Sequence, residues 1–399
     1  HAEYFSVDGI RYNTLEEENC VEVTNKLYQY YIGDILIPEE VEYNGITYSV
    51  ISIGEMAFIR CFGLTSINIP NSVASIGTRA FEACSGLTSV IIGNSVTSIG
   101  ESAFYGCSGL TSVTIGSSVT SIGESAFYGC SGLTVVNFNA TNCTEMGTFD
   151  NPPFAGCSLL STVIIGDNVK LITNNSFKGC GDLSNLKIPK SVTSIGESAF
   201  YGCSGLTSVT IGNSVNSIGN YAFYGCFRLS SITIGNSVNS IGNYAFYDCS
   251  GLTSVTIPNS VSSIGYKTFA GCSGLNEFYG KFASSDNRCL IVDGNLVAFA
   301  PKDISSYTIP NTVTSIDAAV SGCEYLNSVT IPSSITSIGN YAFAHCTALS
   351  SITNQRYIPI KLTDNQYVFD GITVSTCTLY VPEGSKVAYS KAAVWEKFN

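Results

Sequence analysis

Charge is scarce in this 399-residue chain. Asp, Glu, Lys and Arg make up 12% of it, about half the usual quarter. The balance is acidic, with 30 Asp and Glu against 18 Lys and Arg and a formal net charge of −12. No cluster of Lys and Arg occurs. That argues against nucleic-acid partners and against electrostatic docking on anionic lipid, because both need concentrated positive charge. No stretch of 18 apolar residues occurs either, so no membrane-spanning helix is predicted. Histidine appears twice, at His1 and His345, and His345 merely replaces the Gly that often precedes a repeated cysteine. The GxSxG, HExxH, P-loop and GxGxxG patterns are all missing. A protein without catalysis, cofactor or metal is the expectation. Glu101, Glu124 and Glu197 recur at one position that reads as a helix start, where a carboxylate suits the dipole. No signal peptide opens the chain, and His1 reads as a remnant or a processed boundary.

What is abundant is cysteine, in a ladder. Cys61, Cys84, Cys107, Cys130, Cys157, Cys180, Cys203, Cys226, Cys249, Cys272, Cys323 and Cys346 mostly stand 23 residues apart. A leucine follows each by three residues, from Leu64 to Leu349. A phenylalanine precedes each by three, from Phe58 to Phe343, with Val320 the exception. A fixed period of this length predicts a solenoid, in which each coil touches its neighbours and one core runs along the stack.

Positions are numbered here from the ladder cysteine. Leu at +3, Val or Ile at +6 and Ile at +8 are apolar, and Pro or Gly at +9 closes the segment, as in Leu110-Thr-Ser-Val-Thr-Ile115-Gly116. This predicts a short strand with Thr114 outward, and with Val113 and Ile115 split across the pleat by a bend near +4. A second apolar pair, Val119 and Ile122, follows, then Glu-Ser-Ala-Phe-Tyr-Gly-Cys130. The last stretch predicts a short helical or 3₁₀ turn with Ala126, Phe127 and Cys130 on one inward face.

The register slips at defined places. The step from Cys130 to Cys157 is 27, with Asn151-Pro-Pro153 marking a bulge, and the step from Cys272 to Cys323 is 51. A hidden coil with Pro301 at the cysteine position divides the long step and puts Ile304, Tyr307 and Ile309 in the apolar slots. The surplus forms a hairpin turning at Asp293-Gly294. A second hidden coil places Gln29 at the cysteine position with Ile32, Ile35 and Ile37 inward, followed by a hairpin at Asn44-Gly45. About fifteen stacked strands result, spanning roughly 65–70 Å at about 4.8 Å each. The chain thus divides into an N-terminal cap (1–31), a solenoid (32–382) with hairpin insertions near 41–50 and 289–297, and a C-terminal capping helix (383–399). Val387, Ala388, Ala392, Trp395 and Phe398 form the apolar stripe of that helix.

The unit Leu252-Thr-Ser-Val-Thr-Ile-Pro-Asn-Ser-Val-Ser-Ser-Ile-Gly-Tyr-Lys-Thr-Phe-Ala-Gly-Cys272 resembles the 23-residue leucine-rich repeat of the BspA-like proteins, known from Bacteroides-type bacteria and treponemes. The resemblance covers nearly the whole chain, including the hairpin Cys289–Pro301 and the tail Cys377–Lys386. It implies an α/β-type solenoid: a right-handed coil with a parallel sheet on one face, short helical turns, a β-rich N-terminal cap and a helical C-terminal cap. It also implies an extracellular or cell-surface adhesin that binds a host matrix protein or a glycan, expected as a monomer. No lipid-attachment cysteine stands at residue 1.

The cysteine ladder admits a disulfide framework, a metal array or a packing column. Equivalent Cα atoms near 4.8 Å permit disulfides. Bridging would, however, pull side chains out of a column shared with Phe and Leu, and no CxxC pair supplies a zinc site. The packing column is favoured, since buried free Cys behaves as a small hydrophobe. The off-ladder Cys20, Cys143, Cys289 and Cys377 are expected to be exposed or paired. For a partner surface, the outward +5 and +7 positions stand out. Most are Ser or Thr, good solvated strand residues. Ile91, Val135, Ile164, Lys187, Glu277 and Tyr279 depart from that pattern and are the candidate contact residues. Tyr105, Tyr128, Tyr201, Tyr224 and Tyr247, at −2, form a second stripe. Three functions follow: a binding or adhesion module, a structural spacer of near-identical coils, and an ice- or crystal-binding surface built on Thr ladders.

Overall fold

The computed structural model describes residues 3–399, so His1 lies outside the described residues. The chain divides into two compact units, His1–Val215 and Asn216–Asn399.

In the first unit, the +5 to +8 segments form short parallel strands. They run from Gly33–Leu36 and Leu64–Asn68 through Ser89–Ile91, Ser112–Ile115, Val135–Phe138 and Thr162–Ile165 to Asn185–Lys187 and Ser208–Thr210. Equivalent positions face each other: Val113 pairs with Val136, Val136 with Val163, and Val163 with Leu186. Val113 and Ile115 are both buried, while Ser112 and Thr114 between them are exposed. This corrects the expected split across the pleat. The strand begins at +5, so strict alternation holds within it, and Leu110 at +3 reaches the core from the loop before it. A second parallel ladder joins two-residue strands at Ser75–Ile76, Ser98–Ile99, Ser121–Ile122 and Glu145–Met146. At the N-terminus Tyr4–Val7, Ile10–Thr14 and Cys20–Thr24 pair antiparallel, and Cys20–Thr24 then pairs parallel with Ile46–Ile53. Phe5, Tyr12, Val21 and Val23 are buried there.

The stretch before the cysteine is not helical in the typical coil. In one coil the N–H groups of Ala103, Tyr105 and Cys107 close turns on Gly100, Ser102 and Phe104 at 3.1–3.3 Å. The alternate N–H groups of Ser102, Phe104 and Gly106 leave for the next coil, donating to the carbonyls of Glu124, Ala126 and Tyr128 at 2.7–2.9 Å. Ser102 and Gly106 take φ of 53° and 69°, the left-handed region that ends any helix. Among the described residues only Ala318–Val320, in the coil where Val320 replaces the phenylalanine, forms a 3₁₀ turn at this place.

The ladder cysteines are buried and unbridged. Each typical thiol donates to the carbonyl of the phenylalanine in the preceding coil: Cys84 to Phe58 at 2.9 Å, Cys107 to Phe81 at 3.1 Å, Cys130 to Phe104 at 3.1 Å. The phenylalanine rings stack in the same direction. Phe58, Phe81, Phe104 and Phe127 lie 4.9–5.0 Å apart and within 8° of parallel. Glycine keeps the coils close: a Cβ on Gly109 would stand 2.6 Å from the Ser85 carbonyl oxygen. Off the ladder, Cys143, Cys289 and Cys377 are buried and unpaired, and Cys20 is half-buried and unpaired. This corrects the expectation of exposed or bridged thiols, because apolar columns extend into the caps and hairpins that carry them.

Two further expectations change in this unit. Gln29 and Ile32 do not turn inward; Ile32 is 71% exposed, and Tyr31 is buried instead, its ring 4.5 Å from Phe58. A register shift between Gly33 and Asp34 is the cause. Tyr31 then donates to the Thr24 carbonyl at 2.8 Å and accepts the Arg11 N–H at 3.0 Å, closing the phenylalanine stack against the cap.

In the second unit the principal strands are Ser231–Thr233, Ser254–Ile257, Glu277–Gly280, Ser306–Thr308, Ser328–Ile331, Ser351–Asn354 and Thr378–Tyr380. Tyr307 of the coil without cysteine pairs with Val329, in register with its neighbours. Cys289–Val292 and Asn295–Phe299 pair antiparallel about Asp293 and Gly294, which take φ of 49° and 79°, as a two-residue hairpin turn requires. The C-terminal cap holds only one α-turn, Lys386–Tyr389, and a 3₁₀ turn, Trp395–Lys397. The α-turn ends at Tyr389, Val394 takes φ of 72°, so the expected continuous helix does not form, and Val387 is exposed. Tyr389 and Trp395 fill the core instead, and the Trp395 indole donates to the Ile360 carbonyl at 2.8 Å.

Two outcomes follow from this packing. Ile211 is 1% exposed, so Ile211→Asp buries an unpaired charge and is expected to cost several kcal/mol in urea unfolding; an unchanged midpoint would contradict the inward assignment. Burial also pushes the Cys107, Cys180 and Cys249 thiols well above their ordinary value. Unfolded thiols ionise near pH 8.5. Above that pH the native state therefore holds more protons than the unfolded chain, and stability falls as pH rises, by about 1.4 kcal/mol per pH unit for each such thiol. Thermal unfolding is expected to drop steeply from about pH 8.5 upward; a flat alkaline profile would contradict the buried column.

Candidate binding face

The outward face of the principal strands is built by alternation. With +6 and +8 committed to the core, +5 and +7 must face away from it. In six of the twelve cysteine coils the outward pair is Ser and Thr, and Asn stands at one of the two positions in three more. In the first unit this polarity is broken around Ile164, which is 51% exposed. It sits in register between Asn137 on one strand and Lys187 on the next. Val135, half-buried, pairs with Thr162 and lies diagonal to Ile164. The structure therefore brings Val135, Ile164 and Lys187 together across three adjacent strands. Lys187 is exposed, and among the described residues its side chain makes no ion pair or hydrogen bond.

Ile91 belongs to a different place. It lies in the three-stranded sheet of Gly33–Leu36, Leu64–Asn68 and Ser89–Ile91, where Leu36 and Ile91 flank Asn68 in register. Leu36 is 71% and Ile91 62% exposed. Beside them a shallow cavity of about 440 Å³ is lined by Pro38, Ile69 and Pro70 among others. Leu36 was missed from the sequence, although it occupies +7 of the coil that begins near Gln29; extending the outward reading to that coil finds it.

Glu277 and Tyr279 lie in the second unit, on the outward side of Glu277–Gly280. The Tyr279 hydroxyl donates to the Glu277 carboxylate, and that bond raises the phenol above its ordinary value. Their polar ends are spent on each other, next to Ser254 and Thr256 on the neighbouring strand.

The tyrosine stripe at −2 is stacked. Tyr105 and Tyr128 lie 5.1 Å apart, and Tyr224 and Tyr247 4.9 Å. A parallel pair, Tyr221 and Tyr244, stacks at 4.9 Å beside the latter. Their faces cover one another, so this side offers ring edges and hydroxyls. Tyr201 meets Phe149 edge-on at 5.4 Å, and the Lys178 ammonium lies over the Phe149 ring. That lysine, lowered by burial, ties the loop at the 27-residue step to its neighbour. His345 stands 3.9 Å from Asp370 at the surface. Among the described residues no group of three His, Cys, Asp or Glu side chains converges as a metal site, and no helix is long and apolar enough to cross a membrane.

Short parallel strands stacked at a 23-residue period, with leucine at +3 and a face of outward polar residues, define a leucine-rich-repeat solenoid. More narrowly, the model of the BspA type leucine rich repeat region matches residues 51–184, 170–285 and 295–385, and the chain belongs to that family. A leucine-rich repeat protein from Bacteroides ovatus is similar at 27% identity and a TM-score of 0.55, over 95% of this chain and 100% of that one. A leucine rich cell surface protein from Faecalibacterium prausnitzii is 23% identical with a TM-score of 0.45, over 100% and 87%. The pneumococcal vaccine antigen PcpA is 17% identical with a TM-score of 0.45, over 98% and 96%. No curated protein matches the sequence.

Because Ile164 and Lys187 project from the sheet, Ile164→Asp and Lys187→Glu are each expected to shift stability by no more than about 0.5 kcal/mol. Chemical denaturation checks this, and a loss of several kcal/mol would place either side chain in the core.

Proposed function

We propose that this protein is a non-enzymatic binding module, extracellular or on a cell surface, that holds a protein partner on the outward face of its principal strands. Family membership supports the module and its location. The observation that carries the site is Ile164: a half-exposed isoleucine in register with a lysine whose side chain has no partner, on a strand face whose other positions are mostly uncharged and polar. Exposed apolar residues rimmed by polar ones mark contact sites. An apolar anchor beside a cation with no partner suits a protein surface that offers a hydrophobic side chain next to a carboxylate. Matrix proteins are the first class to test.

Surface binding of the whole chain to immobilised matrix proteins provides the test. Ile164→Asp combined with Lys187→Glu is expected to weaken any bound partner by at least about tenfold, or 1.4 kcal/mol. Unchanged affinity for every bound matrix protein would refute this face. A spacer without a ligand, favoured by the near-identical coils, would bind none of them and would tolerate deletion of one 23-residue unit.

A further inference from the structure

One departure from the Ser-Gly pattern lies in the second unit, at the coil lacking its cysteine. Six of the twelve cysteine coils carry Ser and Gly at +1 and +2, among them the two that precede this place, at Ser250-Gly251 and Ser273-Gly274. The coil at Pro301 carries Lys302-Asp303 there, and the next coil carries Glu324-Tyr325. Large polar side chains thus rise beside a floor that remains bare. The floor cannot fill in, because a Cβ on Gly274 would stand 2.4 Å from the Ser250 carbonyl oxygen. The result is a cavity of about 690 Å³, lined by Ser273, Lys302, Asp303, Ser305, Tyr325 and Asn327 among others. That size lies within the range of small-molecule sites, roughly 300–1,000 Å³.

The backbone beneath the cavity is held by the hairpin insertion. The Arg288 guanidinium donates to the carbonyls of Ala300 at 3.4 Å and Lys302 at 3.1 Å. The Lys302 N–H donates to the Leu275 carbonyl at 3.1 Å. Asp303 is fixed at φ of 59°, a left-handed conformation that Asp and Asn tolerate. The side chains above are uncommitted: among the described residues Lys302, Asp303, Tyr325 and Asn327 have no side-chain hydrogen bond or ion pair. Tyr325 is 72% exposed.

We infer that this cavity binds a neutral saccharide. One ammonium and one carboxylate cancel formally, so the site does not select an anion. A carboxylate accepts from two adjacent hydroxyls, an ammonium donates to ring or hydroxyl oxygens, and an amide and serine hydroxyls do both. A sugar hydroxyl needs all of these at once. The phenol ring adds an apolar surface with a polar tip, suited to the C–H face of a pyranose. This site is separate from the sheet face around Ile164 and stands or falls independently of it.

Saturation-transfer NMR on the full chain tests the inference, with neutral di- to tetrasaccharides of glucose, galactose, mannose and N-acetylglucosamine beside glucuronate-containing oligosaccharides. Neutral probes are expected to bind at millimolar concentration or below. Asp303→Asn, which keeps the left-handed backbone, and Tyr325→Ala are each expected to weaken the bound sugar by about tenfold, with the thermal midpoint unchanged. Ile164→Asp is expected to leave sugar binding intact. The inference is overturned if no neutral probe binds, if only the acidic probes bind, or if binding survives both cavity variants.

Discussion

In the regular coils of this protein most core residues face their own kind about one strand spacing away. Parallel coils in register bring equivalent atoms to roughly 4.8 Å, and the phenylalanine centroids at 4.9–5.0 Å follow that spacing. Every position in the repeat must therefore tolerate a column of copies of itself. Phenylalanine can stack, cysteine can donate its thiol to the carbonyl below, and asparagine can repeat, as where the Asn71 side chain accepts the Asn94 N–H at 2.9 Å. Charge cannot repeat cheaply. Two like charges at 4.8 Å repel by about 1 kcal/mol in water and by about 3–4 kcal/mol at an effective dielectric of 20. The charge poverty of the sequence is the chemical signature of this constraint. Where a carboxylate does recur, Glu101 is exposed and Glu124 takes a hydrogen bond from Asn151.

The same constraint explains why cysteine, and not alanine or valine, holds the ladder. The phenylalanine carbonyl already closes a turn within its own coil, as Phe81 does for the Cys84 N–H. The thiol of the next coil adds a second, weak donor at 3.1 Å. Hydrogen bonds thus cross the stack in both directions, N–H groups toward the following coil and thiols toward the preceding one. Threonine repeats the device at the surface, where Thr97 donates to the Ala74 carbonyl and Thr120 to Thr97, each at 3.1 Å. The proposed contacts sit where the repetition fails. Ile164 with Lys187, Leu36 with Ile91, and Lys302-Asp303 with Tyr325 are all departures from the consensus, each on a backbone that the consensus keeps regular.

Much of this was legible in the residues. The period predicted the coil and Asp293-Gly294 predicted its hairpin, while the apolar slots marked +6 and +8 without predicting that both face the core. The outward placement of Ile164 and Lys187 followed from alternation. Less legible were features that depend on which backbone groups find partners. The Glu-Ser-Ala-Phe-Tyr-Gly stretch has helical composition, yet alternate N–H groups are drawn to the next coil and the helix never forms. Tyr31 replaces Ile32 because a one-residue shift near Gly33 reverses the inward side. The C-terminal cap does not form a continuous helix, and its plug is Trp395 with Tyr389.

By itself, the sequence determined the repeat, its core columns and the short list of outward departures, because a strict period makes one coil's chemistry the chemistry of all. Only the tertiary structure decided which departures meet. It joined Val135, Ile164 and Lys187 across three strands, paired Tyr279 with Glu277, and brought Gly274, Asp303 and Tyr325 to the lining of one cavity. Those juxtapositions depend on strand register and on insertions between coils, which bring together residues that no spacing along the chain connects.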